Sequence, residues 1–113
     1  GFTHTDTIKE VETLARKINN LRIFEDEFGK INLNIHDVNG EILSISQFTL
    51  YADTKKGNRP SYINAMGGDK STLLYDEFNK KLKENIHVET GIFGADMKVS
   101  ITNDGPVTIL LER

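Results

Sequence analysis

Residues able to do chemistry gather in a few short stretches of this chain. "SQFTLY", Ser46 to Tyr51, sets a serine, a glutamine and a threonine inside "EILSISQFTLYA", the longest run of strand-forming residues. Strand alternation puts Ser46, Phe48 and Leu50 on one face and Gln47, Thr49 and Tyr51 on the other. Buried polar side chains must be hydrogen-bonded, so this cluster is either a structural network or a site. "TNDGPVTI", Thr102 to Ile109, carries the Asp-Gly signal of a tight hairpin. Pro106 spoils that reading, because it removes a backbone donor from the returning strand and restricts Gly105 before it. "TKKGNRP" places Lys55, Lys56 and Arg59 on a segment that Gly57 and Pro60 mark as loop, which is either a solvated basic loop or a phosphate contact.

Other chemistries are disfavoured. The chain has no cysteine, which removes disulfides, thiolate metal sites and a cysteine nucleophile together. His4, His36 and His87 are scattered without a spacing that joins any two, so no metal and no cofactor are expected. No serine sits in a G-x-S-x-G elbow. Thr49 is the tempting nucleophile, but a threonine hydroxyl needs an adjacent base and none can be named. The carboxylates lie mostly on polar faces and turns. A net charge of −3 argues against gripping nucleic acid by overall positive charge, although local fields matter more than totals.

The elements that must position these residues are legible in outline. At 113 residues the chain reads as one domain with a modest core. Ile8, Val11, Leu14, Ala15 and Ile18 recur at helical spacing over residues 5–19, and Thr7 with Glu10 fits a capping box. "EDEFGK" reads as a turn, "INLNIH" as a strand with Ile31, Leu33 and Ile35 inward, and "VNG" as another turn. Residues 59–70 read as loop. A second helix is expected over about 71–84, with Leu74, Phe78 and Leu82 on its apolar face, Leu73 and Tyr75 flanking, and Asn79 among the polar residues opposite. "IHVET", "MKVSIT" and "VTILLE" read as strands. The turns are too short for repeated parallel crossovers, which favours a mostly antiparallel α+β domain. The longest apolar run is a few residues against the roughly 20 of a spanning helix. No targeting pattern follows Gly1, and the natural start is expected to lie outside this chain.

"SQFTL" followed by "ADTKKGNRP", then "FGADM" and a closing "NDGPVTI", with "NLRIFED" at residues 20–26, resembles the D-aminoacyl-tRNA deacylases, also called D-tyrosyl-tRNA deacylases. The resemblance runs from the first helix to the last strand. It implies mostly antiparallel sheets forming a β-barrel-like domain with two helices, and a cytoplasmic homodimer with active sites at the subunit interface. It implies hydrolysis of the ester of a D-aminoacyl-tRNA, a proofreading step in translation. Ser46, Gln47, Phe48, Thr49 and Leu50 would line the site, with backbone N–H groups around Phe48 and Thr49 receiving the developing negative charge. Gly105 and Pro106 would enter from the partner, joined in this family by a cis bond. Phe93 and Met97 of "FGADM" would hold the terminal adenosine, and Lys55, Lys56 and Arg59 the acceptor-stem phosphates.

Chirality is then expected to be read by exclusion: a stiff backbone wedge at Gly105 and Pro106 crowds every L side chain, while glycine passes, so glycyl-tRNA is an expected substrate. Family chains normally begin with further strands that include "QRV", and this chain starts after them, at "GFTHTD". Residues 1–113 are thus expected to form a single deacylase domain lacking those strands. The alternative is a module of the same fold that binds tRNA ends without turnover. A conventional hydrolase of small esters or amides, using Thr49 with a histidine, is a third.

Overall fold

The computed structural model describes residues 1–113, in the order helix α1 (Ile8–Asn20), strands β1 (Phe24–Glu25), β2 (Ile31–Leu33) and β3 (Ile42–Ser44), a 3-10 turn (Phe48–Tyr51), helix α2 (Gly68–Lys83) and strand β4 (Val88–Thr90). Helix α1 opens on the expected capping box. Thr7 Oγ1 accepts from Lys9 N–H at 3.2 Å, and Glu10 reaches back to Thr7 N–H at 2.8 Å. The Thr7 hydroxyl also donates to the Glu10 carboxylate at 2.6 Å, and this bond first, then the one from Thr7 N–H, hold that carboxyl below its ordinary range.

Strands β1 and β2 form an antiparallel hairpin around the expected turn. Asp26 organises it: its carboxylate accepts from the N–H groups of Phe28 and Lys30 and from the Asn32 amide, and Gly29 takes the positive φ of 72°. The Lys30 N–H is the main reason that the Asp26 carboxyl lies below its usual range. The expected strand "INLNIH" stops at Leu33. Asn34 Oδ1 accepts from His36 N–H and Asp37 N–H while Asp37 accepts from Asn34 N–H, so local side chains outcompete the ladder. Ile31, expected inward, is exposed, and Ile35 is buried.

Strand β3 pairs with β4 in parallel, register Ile42↔Val88, and α2 lies in the long crossover between them. This is a single parallel crossover, beside the antiparallel pair of β1 and β2. The four strands make two two-stranded sheets and do not close a barrel, while the α+β class stands. Ala15, Leu82 and Val88 form the core where both helices meet β4, with Ile18, Ile42, Phe78 and Ile86 packed around it. Leu82 and Phe78 of α2 face the core as expected, but the buried stripe is shifted to take in Ser71, Tyr75 and Asn79, and Leu73 is exposed.

Two further expectations fail. "SQFTLY" is not a core strand, because β3 ends at Ser44 where its only partner ends, and the chain winds into the 3-10 turn. "MKVSIT" and "VTILLE" form no strands: no hydrogen bond involves any residue after Ala95, and Val99, Ile101, Val107, Ile109 and Leu110 are exposed. Strand-forming residues with no neighbouring strand have no ladder to join. This arm, residues 96–110, loops away before Leu111 returns to α1. The radius of gyration is 15.6 Å, against about 13 Å for a compact chain of this length. No helix is long and apolar enough to cross a membrane.

Candidate active site

The site stretch hangs from a well-tied point. At the end of β3 the Ser44 carbonyl accepts two hydrogen bonds, one from the Tyr75 hydroxyl at 2.7 Å and one from Gly91 N–H at 3.0 Å. Helix α2, β3 and the segment after β4 are thus joined at one oxygen, two residues before Ser46. Tyr75 also packs its ring on Phe93, centroids 5.9 Å apart and tilted by 49°. Tyr75, expected only to flank the apolar face of α2, thus anchors the site stretch. The signal was there in the spacing of Ser71, Tyr75, Asn79 and Leu82, but two small or polar members disguised the buried stripe.

From this anchor the chain runs through Ile45 and Ser46 into the turn. Gln47 has extended backbone, φ −145° and ψ 97°, and Phe48 begins the 3-10 geometry. Leu50 N–H donates to the Gln47 carbonyl and Ala52 N–H to the Thr49 carbonyl. The N–H groups of Phe48 and Thr49 donate to no acceptor in the protein. Two adjacent free backbone donors on a tethered turn are suited to holding an anionic oxygen, since they need not reorganise as charge develops.

The side chains here fix geometry. Gln47 Nε2 donates to Thr49 Oγ1 at 2.6 Å. An amide cannot accept the threonine proton in exchange, so this contact orients the hydroxyl without activating it as a nucleophile. None of the histidines reaches Thr49. His36 bonds Asn19 Oδ1, His4 the Ile63 carbonyl, and His87 the Glu89 carboxylate. Phe48 meets Tyr62 edge to face, centroids 5.0 Å apart, and remains exposed, as does Leu50. Ser46 and Tyr51 border a cavity of about 120 Å³ that also holds Asp6, Glu10 and Glu112. Burial first, then Asp6 and Glu112, push the Tyr51 phenol above its ordinary range, so it stays protonated at neutral pH.

Phe93 sits over Tyr75, and Met97 lies against Gly91, where an added Cβ would come within 2.9 Å of its sulfur. The basic loop is pinched shut by paired hydrogen bonds between Asp53 and Ser61, and Lys55, Lys56 and Arg59 point outward from it without an ion pair. It follows the turn directly. Gly105 and Pro106 are joined by a cis peptide bond. Gly105 has φ 108°, a conformation that favours glycine, and a Cβ there would meet nothing beyond Val107 N within 4 Å. Both residues are exposed, and no hydrogen bond ties them to Ser46–Leu50 of their own chain.

A sequence model of the family described as D-Tyr-tRNA(Tyr) deacylase matches residues 1–112. The chain belongs to this family. Curated proteins named D-aminoacyl-tRNA deacylase are similar to it: one from Lactobacillus gasseri is 58% identical over 99% of this chain and 78% of its own length. Another from Bacillus velezensis is 55% identical over 99% of this chain and 77% of its length. A third, from Clostridium novyi, is 56% identical over 99% and 76%. A solved structure titled c-Myc DNA unwinding element binding protein superposes with a TM-score of 0.91 at 44% identity, covering 100% of this chain and 78% of that one.

Proposed function

We propose that this deacylase-family chain hydrolyses the ester joining a D-amino acid to the terminal adenosine of tRNA, releasing both. The observation that carries the mechanism is the pair of free N–H groups at Phe48 and Thr49 on a turn fixed through Ser44. The ester carbonyl oxygen lies against these donors. Water adds to the carbonyl carbon as it gives up a proton, negative charge collects on the oxygen, and collapse expels the tRNA ribose oxygen, which takes up a proton as it leaves. Gln47 and Thr49 shape the turn, and Ser46 and Leu50 border it. No side chain of Ser46–Leu50 ionises near neutrality, so the chain's contribution is positioning and charge stabilisation, with the ribose 2′-hydroxyl assisting the water.

Gly105 and Pro106 act as the chiral filter on the site of a second copy of this chain. Their carbonyls take the substrate amino group and their backbone crowds the side on which an L side chain would project. The exposed apolar arm that carries them supports a homodimer, since such a surface favours a partner. Phe93 and Met97 take the adenosine, and Lys55, Lys56 and Arg59 touch phosphates with no sequence preference. A tRNA substrate implies a cytoplasmic place of work.

Initial rates on matched D-tyrosyl-, L-tyrosyl- and glycyl-tRNA test the reading. The D-ester and glycyl ester are cleaved and the L-ester is spared. Binding of all three without turnover would favour the inactive tRNA-end module.

A further inference from the structure

Away from the turn, a groove of about 590 Å³ runs along α2, walled by Thr72, Tyr75, Asp76, Asn79, Lys80 and Lys83 on one side and by the Thr90–Phe93 segment on the other. Two features point to a ligand there. Asn79 is 94% buried, yet its amide Oδ1 is the one buried side-chain polar atom without a hydrogen-bond partner. Lys80 and Lys83 form no ion pair, whereas their neighbour Lys81 is held by Glu12 and Glu84. We propose that this groove binds the unpaired 3′ strand of the tRNA leading up to the terminal adenosine, with Lys80 and Lys83 on successive phosphates and Asn79 facing a base. The inference rests on the deacylase reading, in which Phe93 takes the adenosine.

The spacing fits that occupant. Phe93 covers the groove at the level of Tyr75. Lys80 and Lys83 follow five and eight residues further along the helix, roughly 7 and 12 Å at its 1.5 Å rise. Stacked nucleotides advance about 3.4 Å each, so a few fit between the aromatic end and the far lysine. Asp76 lies at the Tyr75 end, where a carboxylate can accept from a base amino group and stands away from the phosphates. Lysines in the last turn of a helix also suit its dipole, but Lys81 shares that advantage. Only Lys80 and Lys83 line the groove, which makes Lys81 the natural control.

The test compares wild type, the double variant Lys80→Ala/Lys83→Ala and the control Lys81→Ala on D-tyrosyl-tRNA and on D-tyrosyl-adenosine, which lacks the upstream strand. In parallel, fluorescence anisotropy follows binding of a short single-stranded RNA ending in the tRNA 3′ sequence, with poly-glutamate as competitor. The double variant is expected to lose about tenfold in kcat/KM on the tRNA ester and nothing on the adenosine ester. Its slope against log salt should flatten by about 1.4, as for two lost single-strand phosphate contacts. The RNA should bind the double variant more weakly than the control. Equal losses on both esters, unchanged RNA binding, or displacement of RNA by poly-glutamate at matched charge would each overturn the proposal. Failure of wild type to cleave the D-ester would sink the deacylase reading instead, and the anisotropy arm would still decide the groove.

Discussion

The turn at Phe48–Tyr51 and the arm at residues 96–110 carry the two halves of the proposed site, and they are built in opposite ways. The turn is tied at Ser44 by bonds from α2 and from Gly91, so its free donors are held by contacts within one chain. The arm has no hydrogen bond and almost no burial, though it presents Gly105 and Pro106 in a backbone form that depends on glycine. The proposed charge stabilisation thus rests on the chain's own core, while the proposed chiral filter sits on a segment that its own chain does not hold. That division is what the proposed composite site between two copies would explain.

The largest expected contrast is in stability. Leu82 is 1% exposed, and Leu82→Ala should cost about 2–5 kcal/mol in urea unfolding. Ile109→Ala, at 50% exposure, should stay within about 0.5 kcal/mol when measured at concentrations where the chain is monomeric. Comparable costs would erase the distinction between the two regions. Next is Thr49→Ala. If Thr49 only shapes the turn, deacylation should fall by about 10–100-fold, roughly 1.4–2.7 kcal/mol, with an unchanged pH profile. Complete loss, with a covalent intermediate trapped on wild type, would make it the nucleophile.

Tyr75→Phe sharpens the comparison from the anchored side. Losing one of two bonds to Ser44 should cost about 0.5–1.5 kcal/mol of stability and lower kcat more than it raises KM. A variant with wild-type kcat would show that the turn does not depend on its anchor. The smallest effect is at Asp26. Its carboxyl is lowered in the fold by the Lys30 N–H, so the stability it contributes is full above its ordinary value of 3.8 and is lost as pH falls through the lowered folded value. Thermal melts of Asp26→Asn should therefore approach those of wild type only in strong acid, and a constant gap down to pH 2 would refute that role.

How much of this was legible in the residues varied with the range of the forces involved. The α1 cap, the Asp26 turn and the misfit of Pro106 in a hairpin could all be read, because each is decided by a few adjacent residues. The strand over Ser46–Tyr51 could not. Its residues favour extension, but β4 is only three residues long, and a strand without a partner has no ladder to complete. Asn79 was placed on the solvent face because it is polar, whereas the packing of α2 is set by Tyr75 and Leu82, which carry Asn79 inward with them. The parallel pairing of β3 with β4 depends on a crossover of more than forty residues and left no local mark.

Subunit complementation tests the composite site most directly. One chain carries Gln47→Ala/Thr49→Ala and the other Gly105→Trp, which fills the filter. Each alone should be defective on D-tyrosyl-tRNA. Co-folded, the mixed pair unites an intact turn from one chain with an intact arm from the other, and D-specific deacylation should return in one of its two sites. A mixed pair that assembles and remains inactive would place both halves of the site in a single chain and contradict the account.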